Sequence, residues 1–147
     1  MREMVKVCQI LLASALFASG LVAVWLVATD GWLRTVAPSH EYGLLVFGFL
    51  DLILSLTVFM TPKLADLGAF LVAIIQLSAM LGDAYTFAPA GTLQVAFRAY
   101  LLSDAGFVAS MGLQVVLACL TAIMMALLHE AGRPPHGAHS FSLRRVQ

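Results

Sequence analysis

Four long apolar segments, separated by short polar stretches, dominate the pattern along the chain. They run over about residues 5–27, 42–60, 64–85 and 105–128. About 20 apolar residues in an α-helix cross the roughly 30 Å hydrocarbon layer of a bilayer. Turn and capping residues bound these segments, among them Asp30-Gly31 after the first and Thr61-Pro62 before the third. The pattern predicts an all-α fold, an integral membrane four-helix transmembrane bundle.

The connections predict how the spans are arranged. Only three or four residues link the second and third spans, so these two helices should be antiparallel neighbours. Residues 92–102, between the third and fourth spans, have apolar residues at helical spacing with Gln94 and Arg98 opposite them. We expect a short interfacial helix there, or alternatively the start of a tilted fourth span. Residues 1–130 then form the transmembrane domain, and residues 131–147 a flexible cytoplasmic C-terminal tail.

Composition agrees with a membrane location and excludes one class of partner. Hydrophobic residues make up 61% of the 147 and charged residues only 11%, and the mean hydropathy is +0.95. Eight basic and eight acidic residues cancel, which leaves no excess positive charge to attract nucleic acid. We therefore expect the lipid bilayer as the surroundings and no nucleic acid as a partner.

The distribution of basic residues predicts the orientation. Two basic residues, Arg34 and Arg98, lie on one side of the predicted spans. The other six lie on the opposite side: Arg2, Lys6, Lys63, Arg133, Arg144 and Arg145. Because basic residues are enriched on the cytoplasmic side, both termini should be cytoplasmic. We expect a multi-pass protein of a plasma membrane, in a prokaryote.

Small residues predict which helix faces pack. Helix association in lipid depends on close backbone approach and interhelical hydrogen bonds more than on hydrophobicity. Two spans carry small or polar residues at four-residue spacing. In the first span and the fourth, the predicted packing residues are Ala15, Ser19, Ala23, Gly106, Ser110, Ala118 and Ala122.

Asp51 has at least seven residues without a formal charge on either side of it. With the predicted orientation, it lies near the membrane midplane together with Gln76 and Gln114, and Ser55 shares its helix face. Polar groups are costly when they face lipid tails, so we expect a midmembrane polar cluster of these four residues. No Lys or Arg lies in the membrane core to neutralise the acid. A protonated Asp51 that donates to Gln76 or Gln114 is therefore the expected form.

A second polar group is expected at the outer rim, and it consists of His40, Glu41, Asp83 and Asp104. These side chains are sensible ligands for a divalent metal, although their spacing matches no known motif. The alternative is that Glu41 and Asp104 serve helix starts and Asp83 pairs with Arg98 or Arg34. We predict no other cofactor.

The sequence contains no recognised catalytic set, which favours a role other than an enzyme. The favoured function is a small, non-catalytic accessory subunit that packs against and stabilises a larger membrane protein complex, such as a respiratory or other membrane oxidoreductase assembly. The alternative is a small proton- or cation-coupled transporter or channel that acts through Asp51 as a homo-oligomer. A membrane enzyme that uses His40 and the outer acids ranks third.

Overall fold

The computed structural model describes residues 2–36, 38–86 and 102–131, most of which are α-helical. The helices are α1 (Arg2–Thr29), α2 (Gly31–Val36), α3 (Pro38–Thr57), α4 (Pro62–Thr86) and α5 (Ala105–Ala131). Four of them, α1, α3, α4 and α5, are each long and apolar enough to cross a membrane. The predicted fold class, a four-helix transmembrane bundle, is confirmed.

The helix boundaries follow the local chemistry of the chain. Pro62 occupies the first position of α4, and the Thr61 carbonyl accepts the Ala65 amide at 2.9 Å, which fits proline at a helix start. Asp104 caps α5, because its Oδ1 accepts the Phe107 amide at 2.6 Å. Only the second span differs clearly from its predicted bounds of 42–60. It begins at Pro38 and ends at Thr57, where the Thr57 carbonyl accepts amides of the following turn.

The short helix α2 was not predicted. It spans only six residues between α1 and α3. Arg34 holds it against both neighbours: Arg34 Nη2 donates to the Val27 carbonyl at 3.0 Å, and Arg34 Nε donates to Glu41 Oε1 at 3.0 Å. The predicted interfacial helix over 92–102 and the predicted tail over 131–147 lie outside the described residues, apart from Leu102 and Ala131.

The four long helices form a ring. α1 packs extensively against α3 and α5, while α4 packs against α5 and more lightly against α3. An apolar core fills the half of the bundle nearest the α3–α4 turn, with Leu12 and Leu16 from α1, Val58 from that turn, Ala65, Ala69 and Ala73 from α4, and Leu117 from α5. Large apolar side chains such as Phe17, Phe49 and Leu71 point outward. This surface matches a lipid environment.

Candidate functional site

A hydrogen-bonded chain of three side chains lies in the bundle interior. Ser19 Oγ of α1 donates to Asp51 Oδ2 of α3 at 2.6 Å, and Gln114 Nε2 of α5 donates to Ser19 Oγ at 2.7 Å. All three residues are fully buried. Leu16 and Leu117 of the apolar core lie about one turn from Ser19 and Gln114, so the polar chain directly adjoins the core. The Ser19 hydroxyl thus joins three helices at one level.

Close approach of α1 and α3 makes the Ser19–Asp51 bond short. Gly20 and Gly48 lie where these helices meet: a Cβ added at Gly20 would come 2.8 Å from the Gly48 carbonyl oxygen. Each glycine lies next to, or one turn from, a residue of the polar chain. Larger residues at Gly20 or Gly48 would push α1 and α3 apart. The hydrogen bond from Ser19 to Asp51, which crosses between these helices, would then become longer.

The structure joins only some of the residues that were predicted to form a midmembrane polar cluster. Asp51 and Gln114 belong to one network, joined through Ser19. Ser55 is buried, but its Oγ donates to the Leu52 carbonyl of its own helix at 2.7 Å. Gln76 is buried at 2% exposure, and neither its Oε1 nor its Nε2 has a hydrogen-bond partner within the described part of the chain.

Other buried polar atoms around the network also lack partners. Among the residues that the structure describes, Asp51 Oδ1, Gln114 Oε1 and Ser110 Oγ make no hydrogen bond. Ser110 precedes Gln114 by one turn on the same buried face of α5. Buried polar groups without partners are rare in proteins and call for an explanation, such as a bound ion or water.

Asp66 is a second buried acid, and sequence reasoning missed it. It lies in the first turns of α4 and is 1% exposed, and both carboxyl oxygens lack partners in the described residues. On the buried face of α4, Ala69 and Ala73 of the apolar core separate Asp66 from Gln76. That separation is about 15 Å along the helix. The apolar core therefore divides the acid near the α3–α4 turn from the polar network around Asp51.

The predicted packing residues differ in how far they are buried. Ser19, Ala23, Gly106 and Ser110 are buried, and Ala15 and Ala118 are half-buried against the core. Ala122 is exposed. The buried positions of α5 instead alternate by three and four residues: Phe107, Ser110, Gln114, Leu117, Thr121 and Met124. Any packing role for Ala122 concerns a contact outside this chain.

Two of the four residues predicted at the outer rim, Glu41 and Asp104, make other contacts. Glu41 pairs with Arg34 at 3.0 Å and Asp104 caps α5, while the Asp83 side chain is not among those described. The described residues contain no group of three or more His, Cys, Asp and Glu that could hold a metal. Because the Asp83 side chain is not described, the divalent-metal site at the outer rim remains a prediction.

The fold and this interior define a class: a multi-pass membrane protein whose buried acid is hydrogen-bonded across helices. Comparison with protein families, with curated proteins and with solved structures finds no match.

Proposed function

We propose that the protein is a small, non-catalytic accessory subunit that packs against a larger membrane protein complex, such as a respiratory or other membrane oxidoreductase assembly, and stabilises it. The observation that supports this role is the outward surface of α5. There, exposed residues recur every three or four positions on the side opposite the buried face. We call them the small-residue face: Ala105, Ala109, Gly112, Val116, Cys119, Ile123 and Ala126.

The small-residue face differs from the outward surfaces of the other long helices. Five of its seven residues are Ala, Gly or Cys, and a Cβ added at Gly112 would meet nothing within 4 Å. The outward surfaces of α1, α3 and α4 carry larger side chains such as Phe17, Phe49 and Leu67. Small residues let another helix approach closely in lipid, whereas large flexible ones suit contact with acyl chains.

The orientation proposed with this role is the one with both termini in the cytoplasm, in the plasma membrane of a prokaryote. α1 begins, and α5 ends, at the same end of the bundle as the α3–α4 turn. Lys6 and Lys63 are exposed at that end, and Arg34 is exposed at the other. Labelling of single cysteines introduced at Lys63 and at Arg34, from each side of the membrane, tests the orientation.

Native mass spectrometry of the gently solubilised protein tests the subunit role. We expect other membrane chains in a fixed ratio to this one. Gly112→Leu should reduce their yield, because the larger side chain blocks close helix approach at the small-residue face. The matched control is Val46→Leu, which enlarges an exposed residue on α3 and should leave the yield unchanged. A chain that remains alone, or partners that are equally retained by Gly112→Leu, would contradict the proposal.

One observation favours a second candidate, a proton- or cation-coupled transporter or channel that works as a homo-oligomer. Asp51 is fully buried and its Oδ1 has no hydrogen-bond partner in the described residues, which leaves one carboxyl oxygen available to a proton or cation. This candidate predicts a symmetric assembly of this chain alone in native mass spectrometry. It also predicts ion uptake by proteoliposomes that Asp51→Asn abolishes.

A further inference from the structure

The direction of the hydrogen bonds identifies the oxygen of Asp51 that remains available. Ser19 has one hydroxyl hydrogen, and its oxygen already accepts the Gln114 amide. The hydroxyl hydrogen is donated to Asp51 Oδ2 at 2.6 Å, so Oδ2 is an acceptor in this chain. Any neutralising positive charge therefore has to lie at Asp51 Oδ1, which is buried and makes no hydrogen bond to a described residue.

Within the described part of the chain, no side chain supplies that charge. The Lys6, Arg34 and Lys63 side chains are all exposed, and no basic residue is among the buried polar residues of the described chain. A proton on Oδ1 could be donated to only one of the buried oxygens around it, whereas a bound cation accepts several oxygen ligands at once. A buried charge without a partner is strongly unfavourable, so a bound cation is the more favourable solution.

The surrounding atoms are those that a hard cation prefers. Gln114 Oε1 is held near Asp51, because both residues bind the same Ser19 hydroxyl. Ser110 Oγ lies one turn along α5, and Gln76 Oε1 comes from α4, which packs against α5. All are buried oxygens without partners in the described chain, and oxygen ligands suit alkali and alkaline-earth ions. With a single carboxylate in the network, only a monovalent ion gives a neutral site.

We propose that Asp51 Oδ1 and Gln114 Oε1 bind a monovalent metal cation inside the bundle, with Ser110 Oγ and Gln76 Oε1 as further oxygen donors; Na⁺ is the probe in the experiment below. The ion would neutralise Asp51 and hold α3 and α5 together through shared ligands. This site deepens the second candidate function. It can nevertheless be tested without transport, because a bound ion would stabilise a subunit equally well.

The experiment measures sodium binding to the purified full-length chain in mild detergent. Equilibrium dialysis with radioactive Na⁺ should show saturable binding that approaches one ion per chain. Thermal unfolding should occur at a higher temperature in sodium chloride than in choline chloride of equal ionic strength. Asp51→Asn should weaken binding by at least about tenfold, since even changes next to metal ligands typically cost about 10–100-fold. It should also remove the sodium-dependent shift in unfolding temperature.

The matched control is Asp66→Asn, the same change at the other buried acid. It should retain sodium binding, because the apolar core separates Asp66 from Asp51. Asp51→Asn keeps an oxygen that can accept the hydrogen bond from the Ser19 hydroxyl. Ser110→Ala is a second, milder variant, which should reduce the affinity for sodium. The proposal is overturned if the wild-type chain shows neither saturable sodium binding nor a sodium-dependent shift, or if Asp66→Asn loses both as fully as Asp51→Asn. Transport assays and native mass spectrometry test the proposed functions separately, so the failure of a proposed function can be distinguished from the failure of this site.

Discussion

Gly20 of α1 and Gly48 of α3 face each other at the closest approach of the two helices. A Cβ added at Gly20 would lie 2.8 Å from the Gly48 carbonyl oxygen, and one added at Gly48 would lie 3.4 Å from the Gly20 carbonyl oxygen. Because these contacts involve backbone oxygens, a side chain at either position would have to push the two helices apart. This pair therefore sets the distance across which Ser19 reaches Asp51.

Gly48→Ala should destabilise the bundle. The added methyl group would lie 2.8 Å from the Ala23 Cβ, and an alanine has no rotamer by which to move away. We expect a loss of about 1–3 kcal/mol in the free energy of unfolding, the usual cost of overpacking. Reversible unfolding in mixed micelles, followed by circular dichroism, measures this change.

The control for that prediction is Gly43→Ala on the same helix. A Cβ there would meet nothing within 4 Å, and alanine is favoured over glycine in a helix by about 1 kcal/mol. Gly43→Ala should therefore leave the stability unchanged or raise it slightly. Equal stabilities of the two variants would show that α1 and α3 do not depend on this close contact.

Ser19→Ala should break the interior network at its centre. The change removes the donor to Asp51 Oδ2 and the acceptor for Gln114 Nε2, and it leaves both groups buried without that partner. We expect a loss of about 1–2 kcal/mol in the free energy of unfolding, because single hydrogen bonds in membrane helices contribute modestly. Ser14→Ala, an exposed serine on the same helix, is the control and should change the stability little. A similar loss in both variants would contradict the central role of Ser19.

The sequence predicted the spans well because their signals are local. Apolar length sets each transmembrane helix, and Pro62 and Asp104 mark helix starts through their own backbone chemistry. Asp51 and Gln114 were predicted at one level by counting residues along each span. Such counting gives depth, but it does not give the rotation of a helix about its axis.

Rotation explains what the sequence did not reveal. Residues four apart differ by about 40° around a helix, so a four-residue stripe has turned by about 160° from Gly106 to Ala122. This is why Gly106 is buried and Ala122 exposed, while the buried positions of α5 alternate by three and four residues as in a left-handed supercoil. The same spacing on α4, from Gln76 back through Ala73 and Ala69, leads to Asp66 and would have revealed it.

Replacement of the two buried acids by alanine should change the free energy of unfolding differently. Asp66→Ala removes two buried oxygens that have no partner in the described chain, so we expect the free energy of unfolding to stay the same or to rise. Asp51→Ala leaves Ser19 without its acceptor and should lower it by about 1–3 kcal/mol. Unfolding of both variants in identical micelles makes the comparison. Equal losses would indicate that Asp66 makes a stabilising contact of its own.

Leu117→Ala should show that the buried positions of α5, which alternate by three and four residues, hold this helix in the bundle. Leu117 is fully buried in the apolar core with Leu12 and Leu16, so its truncation leaves a cavity between three helices. We expect a loss of about 2–3 kcal/mol in the free energy of unfolding, at the low end for buried leucines because lipid is as apolar as the core. The control is Ile123→Ala, where the side chain is 53% exposed and its loss removes mainly lipid contact. If Leu117→Ala lowers the free energy of unfolding no more than Ile123→Ala does, the buried positions do not hold α5 in the bundle. The small-residue face on the opposite side of α5 would then be the internal contact.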